Sequence, residues 1–382
     1  MGFSRRVTAA LAASSAAAVS CFFAFAHVSS SQGCAPFERA ANPDDAPALP
    51  DAAISDAADP CGDEGAVPVP RCDGGLCPAR TETAPFGATY LVVGASASRY
   101  FYSVQTAMMQ WRILARHQLA DEQWLSSPGP YNQVTSNGER VFGFSAGTTF
   151  SRGPGELTQD QTFIGTTSSP LFALSSTSMF ASDRARIFER PLGAPGPTAT
   201  DGSMQHEIAT DPVGIAWMAA SAHRLWYIAG GDAMRRPQLG SWGPDTMLAP
   251  LTPAEGPHSI SAAGDVAVFL DSYRVQLVHE ARPTTIELLD ATGGPDYDGR
   301  GYTRTATDGR FVFWFHPEGS PDAGAGSRPL SLMRRSLCSG RVDVLAAPEA
   351  ADATGLAVTR DRAYWFVAGG PAGNVVIRST PR

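Results

Sequence analysis

The sequence predicts an all-β fold, a β-propeller of about seven four-stranded blades, and three observations carry that expectation. Aromatic and β-branched runs recur at a nearly fixed interval. Taking the centre of each run as a marker gives Phe101, Phe142, Phe180, Trp226, Val268, Phe313 and Trp365, spaced by 41, 38, 46, 42, 45 and 52 residues. A unit of that length holds about four short strands, the size of one propeller blade. The runs are also short, rich in Val, Phe, Tyr, Trp and Ile, and bounded by Gly, Pro, Asp and Ser, as strands are. The best helical window, 106–123, falls where the repeat places the third and fourth strands of the first unit.

Each unit then reads in order. A short strand and a polar turn lead into the aromatic strand. After a connection comes a strand carrying an arginine, at Arg190, Arg236, Arg335 or Arg378, and then an outer strand such as TTIELLD or RVDVLAA. The pieces RLWYIAGG with AMRRPQLG, and RAYWFVAGG with NVVIRST, resemble the YWTD-like and related bacterial β-propeller repeats. The resemblance covers roughly 78–382 and implies architecture, not a reaction. No unit carries a complete YWTD tetrapeptide, and familiar members of that group have six blades.

The last unit stops one strand short. Residues 79–84 stand where a preceding outer strand would lie, so they are expected to pair beside Val375–Ser379. Such pairing closes the ring and leaves no orphan edge.

Ahead of the ring, three segments are expected. Residues 1–33 form an export signal, with a basic start (MGFSRR) and an apolar or small run, 7–28, free of Asp, Glu, Lys and Arg. At 22 residues that run is also long enough for an uncleaved anchor. Ala24-Phe25-Ala26 fits a small-x-small cleavage site, while Ser31-Gln32-Gly33-Cys34 resembles a degenerate lipoprotein site with Cys34 lipidated. Residues 34–76 form an Ala/Pro/Asp-rich tether with cysteines, expected to be disordered over its first part. Residues 77–382 form the propeller.

With Cys21 in the signal and Cys34 carrying lipid, Cys61, Cys72, Cys77 and Cys338 remain. An even set in an exported chain implies two disulfides. Three pairings are open; the favoured one joins Cys61 to Cys72 and Cys77 to Cys338. The Cys72-x4-Cys77 spacing also loosely suits zinc, but no histidine lies between Cys34 and Cys77.

Charge narrows the partners. The formal net charge is −8, every basic residue is Arg, and much of the acid lies in the tether. This is no nucleic-acid footprint, and the all-Arg usage suits a GC-rich bacterial genome.

Motifs for chemistry are few. Gly143-Phe-Ser145-Ala-Gly147 spells a nucleophile elbow but ends a β-repeat strand instead of opening a helix. Asp296-Tyr-Asp298-Gly lacks the later ligands of a calcium loop. His258, Asp271, His316 and Glu318 occupy inner-strand or loop positions from which they are weak candidates for a divalent metal at the channel mouth. Their plainer reading is solvated loop residues. The recurring arginines fit either a basic ring or stems packed along strands with heads in water.

The expectation is an exported, membrane-tethered binding or scaffold module of the cell envelope, with a protein or small ligand on the loop face, no nucleic acid and no cofactor. The alternative is a propeller hydrolase or lyase with a metal in the channel.

Overall fold

The computed structural model describes residues 68–382 apart from a set of connecting stretches, the longest being 164–170, 192–205, 238–245, 251–258, 292–304 and 320–327. The expected signal, most of the tether, Cys34, Cys61, His258, Asp271 and the Asp296–Asp298 string lie outside the described residues.

Six four-stranded antiparallel sheets follow one another along the chain, each strand pairing with the next in sequence. They begin at Val93–Ala95, Gln133–Ser136, Leu171–Leu174, Ile215–Ala220, Ser259–Ala263 and Thr305–Thr307, and are called the first to sixth sheets in that order. The expected outer strands appear as His206–Thr210, Thr246–Pro250, Arg282–Ala291 and Val342–Glu349. The window 106–123 contributes Trp111–His117 and the start of Ala120–Ser127, so the strand reading held there over the helical one.

The closing sheet is composite. Thr354–Val358, Arg362–Ala368 and Asn374–Pro381 pair in sequence, and the N-terminal strands Arg80–Thr81 and Phe86–Gly87 add to Asn374–Pro381. Arg80 stands opposite Ser379 and Thr81 opposite Arg378. The Glu82 amide donates to the Ile377 carbonyl at 2.8 Å. The closure expected from the sequence is therefore present, but this sheet has five strands and is built from both ends of the chain. The innermost strands touch in cyclic order, and Thr354–Val358 returns to Val93–Ala95.

Residues 68–76, expected as the end of the tether, pack on the ring instead. Arg71–Cys72 pairs with Gly75–Leu76, and Val69 is buried beside Leu345 and Ala346 of the sixth sheet. The favoured disulfide pairing is corrected here: Cys72 is bonded to Cys77, with Cα atoms 4.7 Å apart. The two cysteines lie on the paired segments Arg71–Cys72 and Gly75–Leu76 or directly beside them, and Cys72 stands opposite Gly75.

The core lies between sheets. Along Phe311–Pro317, Phe311, Phe313 and Phe315 join the cluster shared with Trp365, while Val312 and Trp314 join the one shared with Val268 and Leu277. Period-two alternation thus feeds two inter-sheet cores from one strand, which is why the central strands read as unbroken apolar runs.

Polar contacts stitch neighbours as well. Gln159 exchanges two 2.8 Å hydrogen bonds with the Ser126 backbone, and Arg224 pairs with Glu280 at 3.2 Å.

Gly355 shows how tight the inner packing is. Its φ is +65°, and a Cβ there would lie 2.5 Å from the Phe366 ring. Its carbonyl accepts the buried Tyr100 hydroxyl at 3.2 Å. Gly355→Ala combines backbone strain with overpacking, so a loss of about 2–4 kcal/mol is expected. A urea unfolding midpoint unchanged from wild type would contradict this packing.

Candidate functional site

In a propeller the surfaces open to a ligand are the channel wall, formed by the first strand of each sheet, and the loops at the channel mouth. The described first strands read VGA, QVTS, LFAL, IAWMAA, SISAA, TAT and TGLAV. None contains an ionisable residue. Their approach is close: a Cβ on Gly94 would fall 2.9 Å from the Val134 carbonyl oxygen. The Gln133 side-chain amide donates to the Phe172 carbonyl, joining the second sheet to the third. Among the described residues these strands offer apolar groups, hydroxyls, one amide and backbone, without acid, base or imidazole.

The two described metal candidates are engaged elsewhere. His316 lies near the end of Phe311–Pro317, on the same face as Trp314, and that face turns toward the fifth sheet. Its Nδ1 is 2.7 Å from Asp290 Oδ2, which also accepts the Trp314 indole N–H at 2.7 Å. Asp290 belongs to the outer strand of the fifth sheet, away from the channel. Glu318 accepts the Ser331 hydroxyl at 2.5 Å, and its amide donates to the Pro329 carbonyl at 2.8 Å. The expected convergence of His316 and Glu318 at the channel mouth is thus replaced by separate contacts. Among the described residues no three His, Cys, Asp or Glu side chains form a metal-holding group.

Asp290 was not legible as a partner, because only the stagger between sheets brings it to His316. What the trio does is orient the imidazole: Nδ1 is committed to the carboxylate, and Nε2 is left on a side chain that is 37% exposed.

Ser145 ends the strand Val141–Ser145 and is paired opposite Thr148 across a two-residue connection to Thr148–Arg152. Its buried hydroxyl accepts from Ser127 at 2.8 Å. A strand-to-strand turn replaces the strand-to-helix turn that a nucleophile elbow needs.

The recurring arginines have a structural role where their side chains are described. Arg335, on the third strand of the sixth sheet, pairs with Glu287 on the outer strand of the fifth. Arg378, on the corresponding strand of the closing sheet, pairs with Glu349 on the outer strand of the sixth at 3.0 Å. The heads do not simply extend into water. These two bridge their own sheet to the outer strand of the one before it.

A second repeat went unnoticed in the sequence. The turn between first and second strands carries a Ser or Thr whose oxygen accepts from the backbone amide three residues on. The pairs are Ser96 with Arg99, Ser175 with Ser178, Ser221 with Arg224 and Thr359 with Arg362, at 2.9–3.2 Å. In three of the four the third residue is Arg, either the first residue of the central strand (Arg224, Arg362) or the one just before it (Arg99). The motif Ser/Thr-x-x-Arg was visible in SASR, SAHR and TRDR.

Other titrating groups are structural. His279 is pushed below its ordinary pKa, first by burial and then by the Arg282 charge. Burial raises the Tyr100 phenol well above its usual range, with Tyr102 and Tyr364 adding to the shift.

No protein-family model matches the chain, and no curated protein sequence matches it. Solved structures do resemble it. Puromycin hydrolase aligns at 14% identity and a TM-score of 0.53, over 78% of this chain and 52% of that one. The WD40 domain of Neurospora crassa Pan2 aligns at 6% identity and a TM-score of 0.52, over 80% of this chain and 95% of that domain. The chain thus spans about half the length of the hydrolase it matches. At these identities the likeness shows the fold alone, a β-propeller.

Proposed function

We propose that this chain is an exported, membrane-tethered propeller of seven blades, six four-stranded and one composite, that works as a binding or scaffold module of a bacterial cell envelope. Its partner, a protein or a small ligand, is held on the loop face around the channel. The observation that supports binding over turnover is the absence of any ionisable residue from the seven described first strands. A wall of this kind offers contact area and hydrogen bonds without a general base, a nucleophile with its base, or metal ligands. The export signal and the Ser31–Cys34 string support the location and the tether. The YWTD-like pieces support a repeat of that general kind.

Cell fractionation tests the tether. Wild-type protein is expected in the membrane fraction, and Cys34→Ala in the soluble exported fraction. A variant that stays with the membrane would instead assign anchoring to residues 7–28, and a soluble wild type would assign cleavage after Ala26. Metal analysis tests the mode of action. The purified ring, dialysed without chelator, is expected to carry no stoichiometric divalent ion; one tightly held metal per chain would favour the hydrolase or lyase reading.

A further inference from the structure

The two ends of the Cys72–Cys77 bond meet different surroundings. Cys72 is exposed, whereas Cys77 is only 5% exposed. The segments on or beside which they lie, Arg71–Cys72 and Gly75–Leu76, pair over two residues each. A two-stranded hairpin of that length has little stability of its own. It sits within a strap that packs on the ring. Val69 and Leu76 join the cluster that contains Leu345 and Ala346, both on Val342–Glu349, the outer strand of the sixth sheet.

The bond shortens the path from that packing to the next anchored point, Arg80–Thr81 in the closing sheet. Along the chain Val69 stands eleven residues before Arg80. Through the bond the path is three residues from Val69 to Cys72 and three more from Cys77 to Arg80. A shorter tether raises the effective concentration of Val69 at its seat. Arg80 and Thr81 depend on the bond far less, because they are paired with Ser379 and Arg378.

We infer that the Cys72–Cys77 bond is a thiol-responsive latch on this strap, opened by attack at Cys72. The co-reactant is a dithiol. One of its thiolates attacks the Cys72 sulfur, the bond to Cys77 breaks, and Cys77 leaves with the electron pair and takes up a proton. The second thiol, as thiolate, attacks the mixed disulfide, and Cys72 leaves and is protonated in turn. The dithiol departs as a disulfide, and the chain has gained two electrons and two protons. Attack falls at Cys72 because exchange requires access to the sulfur struck, and Cys77 is buried. Once the latch is open, Val69 and Leu76 can lift from Leu345 and Ala346 while Arg80–Thr81 stays paired. The surface then bared lies on the same strand as Val342 and Val344, which are already exposed.

Folded wild-type protein treated with dithiothreitol, blocked with iodoacetamide and digested with trypsin tests the opening. The peptide 72–80, CDGGLCPAR, is expected with both cysteines alkylated, at a rate within about threefold of that in urea. A bond that opens only after the ring unfolds overturns the inference. With the monothiol glutathione in place of dithiothreitol, the adduct within 72–80 is expected on Cys72; an adduct on Cys77 overturns the direction of attack. The strap has its own readout in the variant carrying both Cys72→Ser and Cys77→Ser. Native trypsin cleavage after Arg71 is expected to be about tenfold faster than in oxidised wild type, with cleavage after Arg80 unchanged. Equal rates after Arg71 would mean that packing alone seats the strap. An equal rise after Arg80 would mean that the bond holds the closing sheet instead. Either result overturns the latch.

Discussion

A chain lacking residues 78–87 is expected to lose most of the stability of the entire ring, not of one blade. The deletion strips Arg80–Thr81 and Phe86–Gly87 from the closing sheet and opens the edge of Asn374–Pro381. It also removes Phe86 from a cluster with Tyr102 and Phe366, whose ring centroids lie 5.3 and 6.3 Å away. Burying a side chain of that size contributes about 1.5–3 kcal/mol. Together with the charges described next, the loss approaches about 5–8 kcal/mol, against typical totals of about 5–15. Urea unfolding is expected to show a much lower midpoint in a single transition, and size-exclusion chromatography to show association through the bared edge. Removing residues 35–60 alone is expected to leave the midpoint unchanged. Equal midpoints for the two deletions would refute closure as the source of stability.

The second large effect is expected from Glu82→Ala. The Glu82 side chain is only 2% exposed and lies within ion-pair distance of Arg116 at 3.6 Å and Arg362 at 3.7 Å. Its Oε1 accepts the Ser379 hydroxyl at 2.5 Å, and Arg362 donates to the same hydroxyl. Arg116 comes from the first sheet, Arg362 and Ser379 from the closing sheet, and Glu82 from the entering chain. Alanine would remove the Glu82 carboxylate from the buried Arg116 guanidinium. Breaking a buried pair from one side costs about 3–5 kcal/mol. Glu82→Gln keeps an acceptor for Ser379 and is expected to lose less. If the two variants unfold at the same urea concentration, the carboxylate charge is not what matters at this seam.

What the sequence made legible follows from how local each signal is. The aromatic strands were plain because both faces of each are buried, giving runs such as Phe311–Phe315 that stand out from polar turns. The closing strand was inferred by counting, since the last unit lacked a partner for Val375–Ser379. The site was harder. His316 and Glu318 sit near the predicted loop face, but their partners depend on the stagger between adjacent sheets, which no spacing along the chain records. The Cys72–Cys77 bond was a missed local signal. Asp-Gly-Gly is a turn-favouring composition, and cysteines on either side of such a string are well spaced for a local bond. The Ser/Thr-x-x-Arg turns were hidden by their own ordinariness, because any polar turn is rich in such residues.

The composite closing sheet also sets an order of events during synthesis. Thr83 and Ile377, joined by a hydrogen bond from the Ile377 amide, are 294 residues apart. At about 5–20 residues per second, the earlier segment waits roughly 15 to 60 s for its partner to leave the ribosome. Through that interval six blades can be translated while the ring has no seam to shut. A nascent chain stalled before Asn374 is therefore an open arc with two bare edges, a natural substrate for chaperones and proteases. Every product that stops short of Asn374 lacks the strand on which the closing sheet is assembled.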